Sequence, residues 1–145
     1  MRDLKDTVAW ITGAGTGIGE GAAVAMAREG AKVILTGRRL DPLEQVSKKI
    51  EDAGGFVEIA QGDAMDRPGM MALAKDIQNR YGKLDLLFNN HGINITNRNW
   101  GGGNLEGWDE VIDVNVKGAY NCALAALEVM RPQGEGTIIT TSSKA

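Results

Sequence analysis

Five short apolar runs of five to seven residues are spaced along the chain, with longer and more polar segments between them. Runs of this length that are rich in Val, Ile, Leu and Phe are typical of strands buried on both faces of a parallel sheet. The pattern therefore predicts strands over residues 8–12, 32–37, 56–60, 84–90 and 137–141.

The segments between the runs repeat their apolar residues at helical spacing. Residues three or four apart lie on one face of a helix, so each repeat predicts an amphipathic helix with one face on the sheet. The four predicted stripes are Ile18, Ala22, Ala25 and Met26; Leu43, Val46, Ile50 and Ala53; Met70, Leu73, Ala74, Ile77 and Tyr81; and Val116, Tyr120, Ala123, Leu127 and Met130.

Two of these helices have recognisable end signals. The second has Asp41 as a predicted N-cap, followed by Pro42 at the first helical position and by Glu44. The glycine pair at 54–55 predicts its end. Asp66 lies just before the first turn of the third predicted helix.

Strands and helices alternate, which predicts an α/β fold with a doubly wound parallel sheet and helices on both faces. The length of 145 residues suits one domain over residues 1–145. One irregular region interrupts the alternation, the polar, glycine-rich loop at 94–104, where Trp100 is interpreted equally well as a stacking wall or as a loop tip.

Composition narrows the class of function. A net charge of −3 gives no basic field for nucleic acid or an anionic membrane surface, and no apolar run is long enough to span a bilayer. One Cys and one His exclude a disulfide framework and a zinc site of the usual ligand count. We therefore expect no metal, no nucleic-acid partner, no membrane partner and a cytoplasmic setting.

A glycine-rich loop, TGAGTGIG at 12–19, joins the first predicted strand to the first helix. Gly13, Gly15, Gly17 and Gly19 allow the backbone to turn tightly and to approach a ligand closely. The free N–H groups at the start of a helix attract phosphate. The loop therefore predicts a nucleotide site, and the alternative is a tight turn without a ligand.

The second strand ends in TGRRLD, where a dinucleotide fold meets the adenine ribose. An acid there binds the ribose hydroxyls of NAD, whereas an arginine pairs with the 2′-phosphate of NADP. Arg38 stands at this point with Arg39 beside it, and no acid precedes Asp41. The pattern favours NADP, with NAD as the alternative; solvated arginines at a helix start are the ligand-free interpretation.

Five motifs in this order give the chain a specific resemblance: TGAGTGIG (12–19), GDAMD (62–66), NNHG (89–92), VIDVNVKG (111–118) and GTIITTSS (136–143). Together they resemble the short-chain dehydrogenase/reductase family over nearly the whole chain. The resemblance implies a Rossmann-type sheet of order 3-2-1-4-5. It also implies NAD(P)-dependent interconversion of a carbonyl and an alcohol in a small molecule by hydride transfer.

The resemblance implies cofactor contacts at the matching positions. Asp63 is expected to meet the adenine edge through its carboxylate and Ala64 through its backbone. Asn89, Asn90 and Gly92 are expected beside the nicotinamide half. The residues implied around the diphosphate are Gly13, Thr16, Ile18 and Gly19, with Gly15 and Gly17 in the same loop.

Two catalytic positions follow from the same resemblance. Ser143 aligns with the serine that holds the substrate oxygen, and Asn115 with the asparagine whose carbonyl anchors a water in the proton relay. Ser142 is interpreted as a turn or packing hydroxyl. His91 stands where relatives more often have Ala, and we favour packing over a proton shuttle for it.

The family's proton donor, a Tyr with a Lys four residues later beyond the serine, is not in the sequence. Tyr81 and Tyr120 precede the serine, and neither has a Lys four positions on. We therefore expect the chain to be the N-terminal part of a longer oxidoreductase and to be inactive alone. The alternatives are a nucleotide-binding module without chemistry and a structural protein with a vestigial loop.

The resemblance also implies a homo-tetramer or dimer that pairs through the helix at 116–130. Its predicted outward face includes Cys122, Ala126 and Val129, which are small or apolar enough for such a contact. The alternative is that a further part of the protein covers this helix.

Overall fold

The computed structural model describes residues 4–95 and 104–143. All strands in these residues belong to one parallel sheet, and its order β3-β2-β1-β4-β5 confirms the predicted 3-2-1-4-5 arrangement. The strands are β1 (Val8–Thr12), β2 (Lys32–Thr36), β3 (Phe56–Ile59), β4 (Leu86–Asn89) and β5 (Thr137–Thr140).

Helices connect successive strands and cover both faces of the sheet. A π-helical turn, Asp113–Gly118, joins the fourth helix directly to the fifth. The helices are α1 (Gly17–Arg28), α2 (Leu40–Asp52), α3 (Arg67–Tyr81), α4 (Leu105–Ile112) and α5 (Ala119–Gln133).

The central strand β1 is buried along its whole length and divides the interior into two cores. Because successive side chains of a strand point to opposite faces, Val8 and Trp10 enter one core and Ala9 and Ile11 enter the other. The first core contains residues of α3 and α5, and the second contains residues of α1 and α2. This division explains why β1 is an unbroken apolar run rather than an alternating one.

The predicted start of α2 is wrong, whereas that of α3 is confirmed. Helix α2 begins at Leu40 with Arg39 as its N-cap, so Asp41 lies inside the first turn. Pro42 fits there because the N–H groups of a first turn have no intrahelical partner. Asp66 caps α3, and its carboxylate accepts a hydrogen bond from Gly69 N at 3.1 Å.

Two predicted helix faces are also corrected. In α1 the buried positions are Gly19, Ala23 and Ala27, whereas Ile18 is exposed. Of the stripe predicted for the fifth helix, Val116 and Tyr120 are exposed, whereas Met130 is buried in the core. Ala123 and Leu127 are half-buried. The residues expected outward, Cys122, Ala126 and Val129, are 0%, 0% and 2% exposed in the core shared with α3.

The sequence pattern predicted no helix between the loop at 94–104 and residue 116, yet α4 occupies Leu105–Ile112. Asn104 caps it, with Oδ1 accepting from Gly107 N at 2.9 Å. Most of the loop predicted at 94–104, including Trp100, lies outside the described residues.

No helix in residues 4–95 or 104–143 is long and apolar enough to cross a bilayer. Within the same ranges no three His, Cys, Asp or Glu side chains are grouped as a metal site would need.

Candidate functional site

A crevice of about 540 Å³ opens at the carboxyl edge of the sheet, where the loops after β1, β2, β3 and β4 converge. Ligands of doubly wound folds bind at this edge, and the volume lies within the usual range for small-molecule sites. Eight predicted site residues line the crevice: Gly13, Gly15, Thr16, Arg38, Asp63, Ala64, Asn90 and Gly92.

The glycine loop is packed directly against the end of β4, which leaves no room for side chains at two positions. Gly13 has a φ of +60°, and a Cβ there would lie 2.7 Å from His91 Cα. A Cβ on Gly19 would lie 2.2 Å from the Gly13 carbonyl oxygen and 2.7 Å from Asn90 Nδ2. Only glycine fits both positions, so the loop turns as tightly as the sequence predicted, and its approach to a ligand stays a prediction.

Helix α1 begins at the crevice with its first N–H groups uncapped by a side chain. Thr16 is the N-cap residue in an extended conformation, and its hydroxyl makes no capping hydrogen bond. The positive end of the helix dipole attracts an anion, and these N–H groups can donate hydrogen bonds to an anionic oxygen. Gly17, Ile18 and Gly19 belong to this first turn but are not among the lining residues.

Arg38 and Arg39 form the wall that follows β2. Both side chains are exposed, both line the crevice, and neither makes an ion pair with a carboxylate of the described part of the chain. Two arginines near the uncapped N-terminus of α1 make this end of the crevice suited to a polyanion.

The loop after β3 presents Asp63 and Ala64 to the crevice. Asp63 Oδ1 accepts from Met65 N at 2.9 Å, which fixes the turn. The buried Asn121 of α5 donates from Nδ2 to the Ala64 carbonyl at 2.9 Å and accepts from Arg67 Nε at 2.8 Å. Sequence reasoning missed Asn121, because its contact joins residues 57 positions apart.

The two asparagines that end β4 have different environments. Asn89 is 3% exposed; its Nδ2 donates to the Ala119 carbonyl at 2.8 Å, so its side chain lies behind the crevice wall rather than on it. Asn90 lines the crevice, and its Oδ1 accepts from Thr141 Oγ1 at 2.8 Å. Gly92 follows at the next turn of the wall.

Asn115 lies in the π-helical turn and is tied to the segment that follows β4. Its Oδ1 accepts from Ile93 N at 2.8 Å, and its Nδ2 donates to the Ile93 carbonyl at 2.9 Å. Ile93 and Val114 both line the crevice, whereas Asn115 itself stands just behind them. π-Helical turns are rare and often occur at functional sites.

Ser143 lies three residues beyond the end of β5, at the same edge of the sheet. The preceding segment is held to β4 by the hydrogen bond from Thr141 N to the Asn89 carbonyl at 3.0 Å. Both Ser142 and Ser143 are exposed, and neither lines the crevice.

The single histidine, His91, is half-buried in the crevice wall, with Nδ1 2.8 Å from Thr12 Oγ1. Burial lowers the pKa of His91 below its ordinary value of 6.5, and this outweighs the nearby Val114 carbonyl and the Asp63 charge, which act to raise the pKa. Arg38 adds to the lowering. The ring is therefore neutral at pH 7.

Neither tyrosine lines the crevice. Tyr81 packs against Phe56 and Lys32, which begin β3 and β2, so it lies at the opposite edge of the sheet. Burial, followed by the hydrogen bond with Glu58, raises the pKa of Tyr81 to about 12. Tyr120 is exposed beneath the Arg67 guanidinium.

Several residues of the crevice wall were not predicted as site residues. Thr12 and Thr36 are the last residues of β1 and β2. The signal that could have identified them is their position at the carboxyl ends of two predicted strands. Pro42 of α2 approaches the loop closely, since a Cβ on Gly15 would lie 2.9 Å from Pro42 Cβ.

The short chain dehydrogenase family profile matches residues 7–145. The chain belongs to this family. The match includes the glycine loop, the segment after β4, the π-helical turn and the end of β5, so the residues around the crevice are those on which the family resemblance rests.

Similar proteins of the short-chain dehydrogenase family agree with this assignment. An uncharacterised oxidoreductase of Listeria innocua is 37% identical over 142 residues, covering 98% of this chain and 57% of that protein. A second, from Staphylococcus aureus, is 36% identical over 143 residues and is covered to 61% of its length. The chain thus spans about three fifths of these curated relatives.

Solved structures of family members have the same fold. A short-chain type dehydrogenase/reductase from Mycobacterium marinum superposes with a TM-score of 0.91 at 34% identity, over 97% of this chain and 57% of that one. A metagenomic short-chain oxidoreductase in complex with NADP superposes with a TM-score of 0.90 at 33% identity, over 99% and 65%.

Proposed function

We propose that the whole protein is an oxidoreductase that binds NADP(H) in this crevice and interconverts a carbonyl and an alcohol. The observation that carries the proposal is the positively charged end of the crevice. There the uncapped start of α1 at Thr16 lies near Arg38 and Arg39, and no carboxylate of the described chain neutralises the two arginines.

The crevice residues fit a dinucleotide in their chemistry. The N-terminus of α1 suits the diphosphate. Gly13 and Gly19 present no side chain that would keep the diphosphate away from the loop backbone. Arg38 suits a 2′-phosphate, and Asp63 with the Ala64 backbone suits the adenine edge. Asn89, Asn90 and Gly92 occupy or support the wall toward the nicotinamide half.

When bound, the nicotinamide cofactor supplies or accepts the hydride. Ser143, at the edge of the sheet beyond β5, is proposed to donate a hydrogen bond to the substrate oxygen and so to orient the reacting carbon. Asn115 is proposed to hold the wall at Ile93 and to offer its backbone carbonyl to a water of the proton relay. Neither Tyr81 nor Tyr120 is the proton donor in this proposal, because neither lines the crevice and neither has a Lys four positions later.

Titration of the full-length protein with NADPH and NADH tests the cofactor choice. We expect tighter binding of NADPH, and Arg38→Asp should weaken it by about tenfold or more while changing NADH much less, since hydrogen bonds to charged groups contribute about 1.5–3 kcal/mol. Arg28→Asp, in the last turn of α1, changes the net charge equally and serves as the control.

Each outcome of this titration has a distinct meaning. NADH use alone by the unaltered protein would contradict the NADP proposal. Binding of NADPH with no turnover on any ketone or aldehyde of a broad panel would favour a binding module without chemistry. Absence of binding to either nucleotide would favour a structural role for the glycine loop.

We also propose a homo-oligomer, dimer or tetramer, on the basis of the family resemblance. The face available for it is the exposed one around Val116 and Tyr120, and not the buried Cys122 side. Light scattering of Tyr120→Glu against the unaltered protein tests this, with a smaller assembly expected for the variant.

A further inference from the structure

The hydroxyl of Thr12 is the centre of a hydrogen-bond cluster at the ends of β1 and β4. It accepts from Asn90 N at 3.0 Å and from His91 N at 3.3 Å. A hydroxyl has two acceptor lone pairs, so these bonds occupy both, and its own hydrogen must be donated elsewhere. Two acceptors are in reach: His91 Nδ1 at 2.8 Å and Asn89 Oδ1 at 3.3 Å.

The shorter contact assigns the tautomer of His91. Thr12 donates to Nδ1, so Nδ1 carries no proton, and the proton of the neutral ring lies on Nε2. In the opposite tautomer Nδ1 would carry the proton, and three donors, Asn90 N, His91 N and His91 Nδ1, would then point at the Thr12 hydroxyl oxygen. The hydroxyl hydrogen could then be donated only to Asn89 Oδ1, at the longer distance of 3.3 Å.

The other ring nitrogen points at the π-helical turn. His91 Nε2 is buried, and within the described residues it makes no hydrogen bond of standard geometry. A Cβ on Gly118 would lie 2.7 Å from it, so the ring fills the space that this glycine leaves at the end of the turn. The backbone of Val114 in the same turn acts to raise the pKa of the His91 ring, against the larger effect of burial.

A buried N–H without a partner is costly, and such groups in native proteins usually have a specific acceptor. Val114 is the residue of the turn that lines the crevice. A bound nucleotide that contacts Val114 would therefore act on the turn that packs against Nε2, while Nδ1 on the other side of the ring stays bonded to Thr12 beside the glycine loop.

We propose that His91 is a positioning residue that links the glycine loop after β1 to the π-helical turn, through its hydrogen bond with Thr12 at Nδ1 and through the packing of Nε2 against Gly118 of the turn. Because of this link, a cofactor that binds to the glycine loop also acts on the π-helical turn that contains Asn115, and the reverse. This consequence for binding rests on the proposed nucleotide site, whereas the link itself does not.

Three variants of the full-length protein separate hydrogen bonding from packing. His91→Ala removes both, His91→Leu restores most of the volume without hydrogen bonds, and His91→Asn retains an acceptor near the position of Nδ1. Gln133→Ala is the control, because Gln133 also ties two segments by two hydrogen bonds, to the Leu84 backbone N and O, but at the opposite edge of the sheet.

Hydrogen exchange without nucleotide tests the link directly. The buried amides of β1 are the internal reference for exchange rates. We expect His91→Ala and His91→Leu to speed amide exchange about tenfold in both segments 12–19 and 112–119, relative to this reference. Gln133→Ala should leave the exchange rates of both segments unchanged. Faster exchange in only one segment, or no change in either, would overturn the link.

Nucleotide affinity and the ring tautomer complete the test. We expect NADPH to bind His91→Ala and His91→Leu about tenfold more weakly, and His91→Asn to recover part of that loss; equal affinity of His91→Leu and the unaltered protein would show a packing role only and overturn the proposal. Nitrogen-15 NMR should show the proton on Nε2, and a proton on Nδ1 would also overturn it. If the unaltered protein binds neither nucleotide, the proposed function fails, and the exchange experiment still decides the link.

Discussion

Asn115 and Ile93 are joined by two hydrogen bonds, in which the asparagine amide pairs with both backbone groups of Ile93, at 2.8 and 2.9 Å. The pairing fixes a π-helical turn against the segment that leaves β4, 22 residues earlier in the chain. It connects the motif VIDVNVKG to NNHG in space, so two of the five sequence motifs form one structural unit.

Asn115→Ala should destabilise the protein by about 1–3 kcal/mol, because it leaves the N–H and C=O groups of Ile93 without their partner in a half-buried site. Turnover of the full-length protein should fall as well. Urea unfolding gives the first quantity and steady-state kinetics the second. An unchanged unfolding midpoint would mean that the two hydrogen bonds contribute nothing.

Features encoded by a few adjacent residues were predictable from the sequence. The five strands were found from their apolar runs, and the sheet order followed from the family resemblance. The predicted burial on both faces holds for β1, β2 and β4, whereas the edge strands β3 and β5 are half-buried or exposed. Asp66 was found as the cap of α3 because its carboxylate acts on Gly69, three residues away. The glycine loop was found because its function depends on local backbone geometry.

Features decided by distant contacts were not predictable. The inner and outer faces of α5 both contain small or apolar residues, so the pattern around Ala123 and Ala126 could not tell which face α3 would cover. The tie from Asn121 to Ala64 and the role of the Thr12 hydroxyl depend on pairs 57 and 79 positions apart. Local spacing holds no information about either.

Gly19→Ala should disrupt the glycine loop, because the new Cβ would lie 2.2 Å from the Gly13 carbonyl oxygen. This oxygen belongs to the backbone, so relieving the clash requires the loop itself to shift. We expect NADPH affinity to fall at least about tenfold and thermal stability to decrease. Gly21→Ala is the matched control: a Cβ at Gly21 meets nothing within 4 Å, and alanine in an exposed helical position should raise stability by up to about 1 kcal/mol. Equal behaviour of the two variants would contradict the steric argument.

Thr36→Val should cost about 1–3 kcal/mol, because the Trp10 indole N–H donates to Thr36 Oγ1 at 2.9 Å and Trp10 is fully buried. The near-isosteric valine removes the acceptor without leaving a cavity. Thr36→Ser keeps the hydroxyl and loses only a methyl group, so it should retain most of the stability. Denaturant unfolding followed by tryptophan fluorescence measures all three proteins, and a valine variant no less stable than the serine variant would refute the role of this hydrogen bond.

Acid should destabilise the unaltered protein more than His91→Leu. Burial lowers the pKa of His91 in the folded state below 6.5, whereas the unfolded chain has the ordinary value. The unfolded state therefore binds the proton first, so stability is fully present above about pH 6.5 and is lost as the pH falls through the lowered folded pKa, at a limiting slope of about 1.4 kcal/mol per pH unit. The charges acting on the ring oppose each other, since Asp63 raises the pKa and Arg38 lowers it, and burial decides the sign. Urea unfolding of both proteins at pH 7.5 and at pH 5.5 measures the difference, and a gap between them that is the same at both values would show that His91 does not titrate with folding.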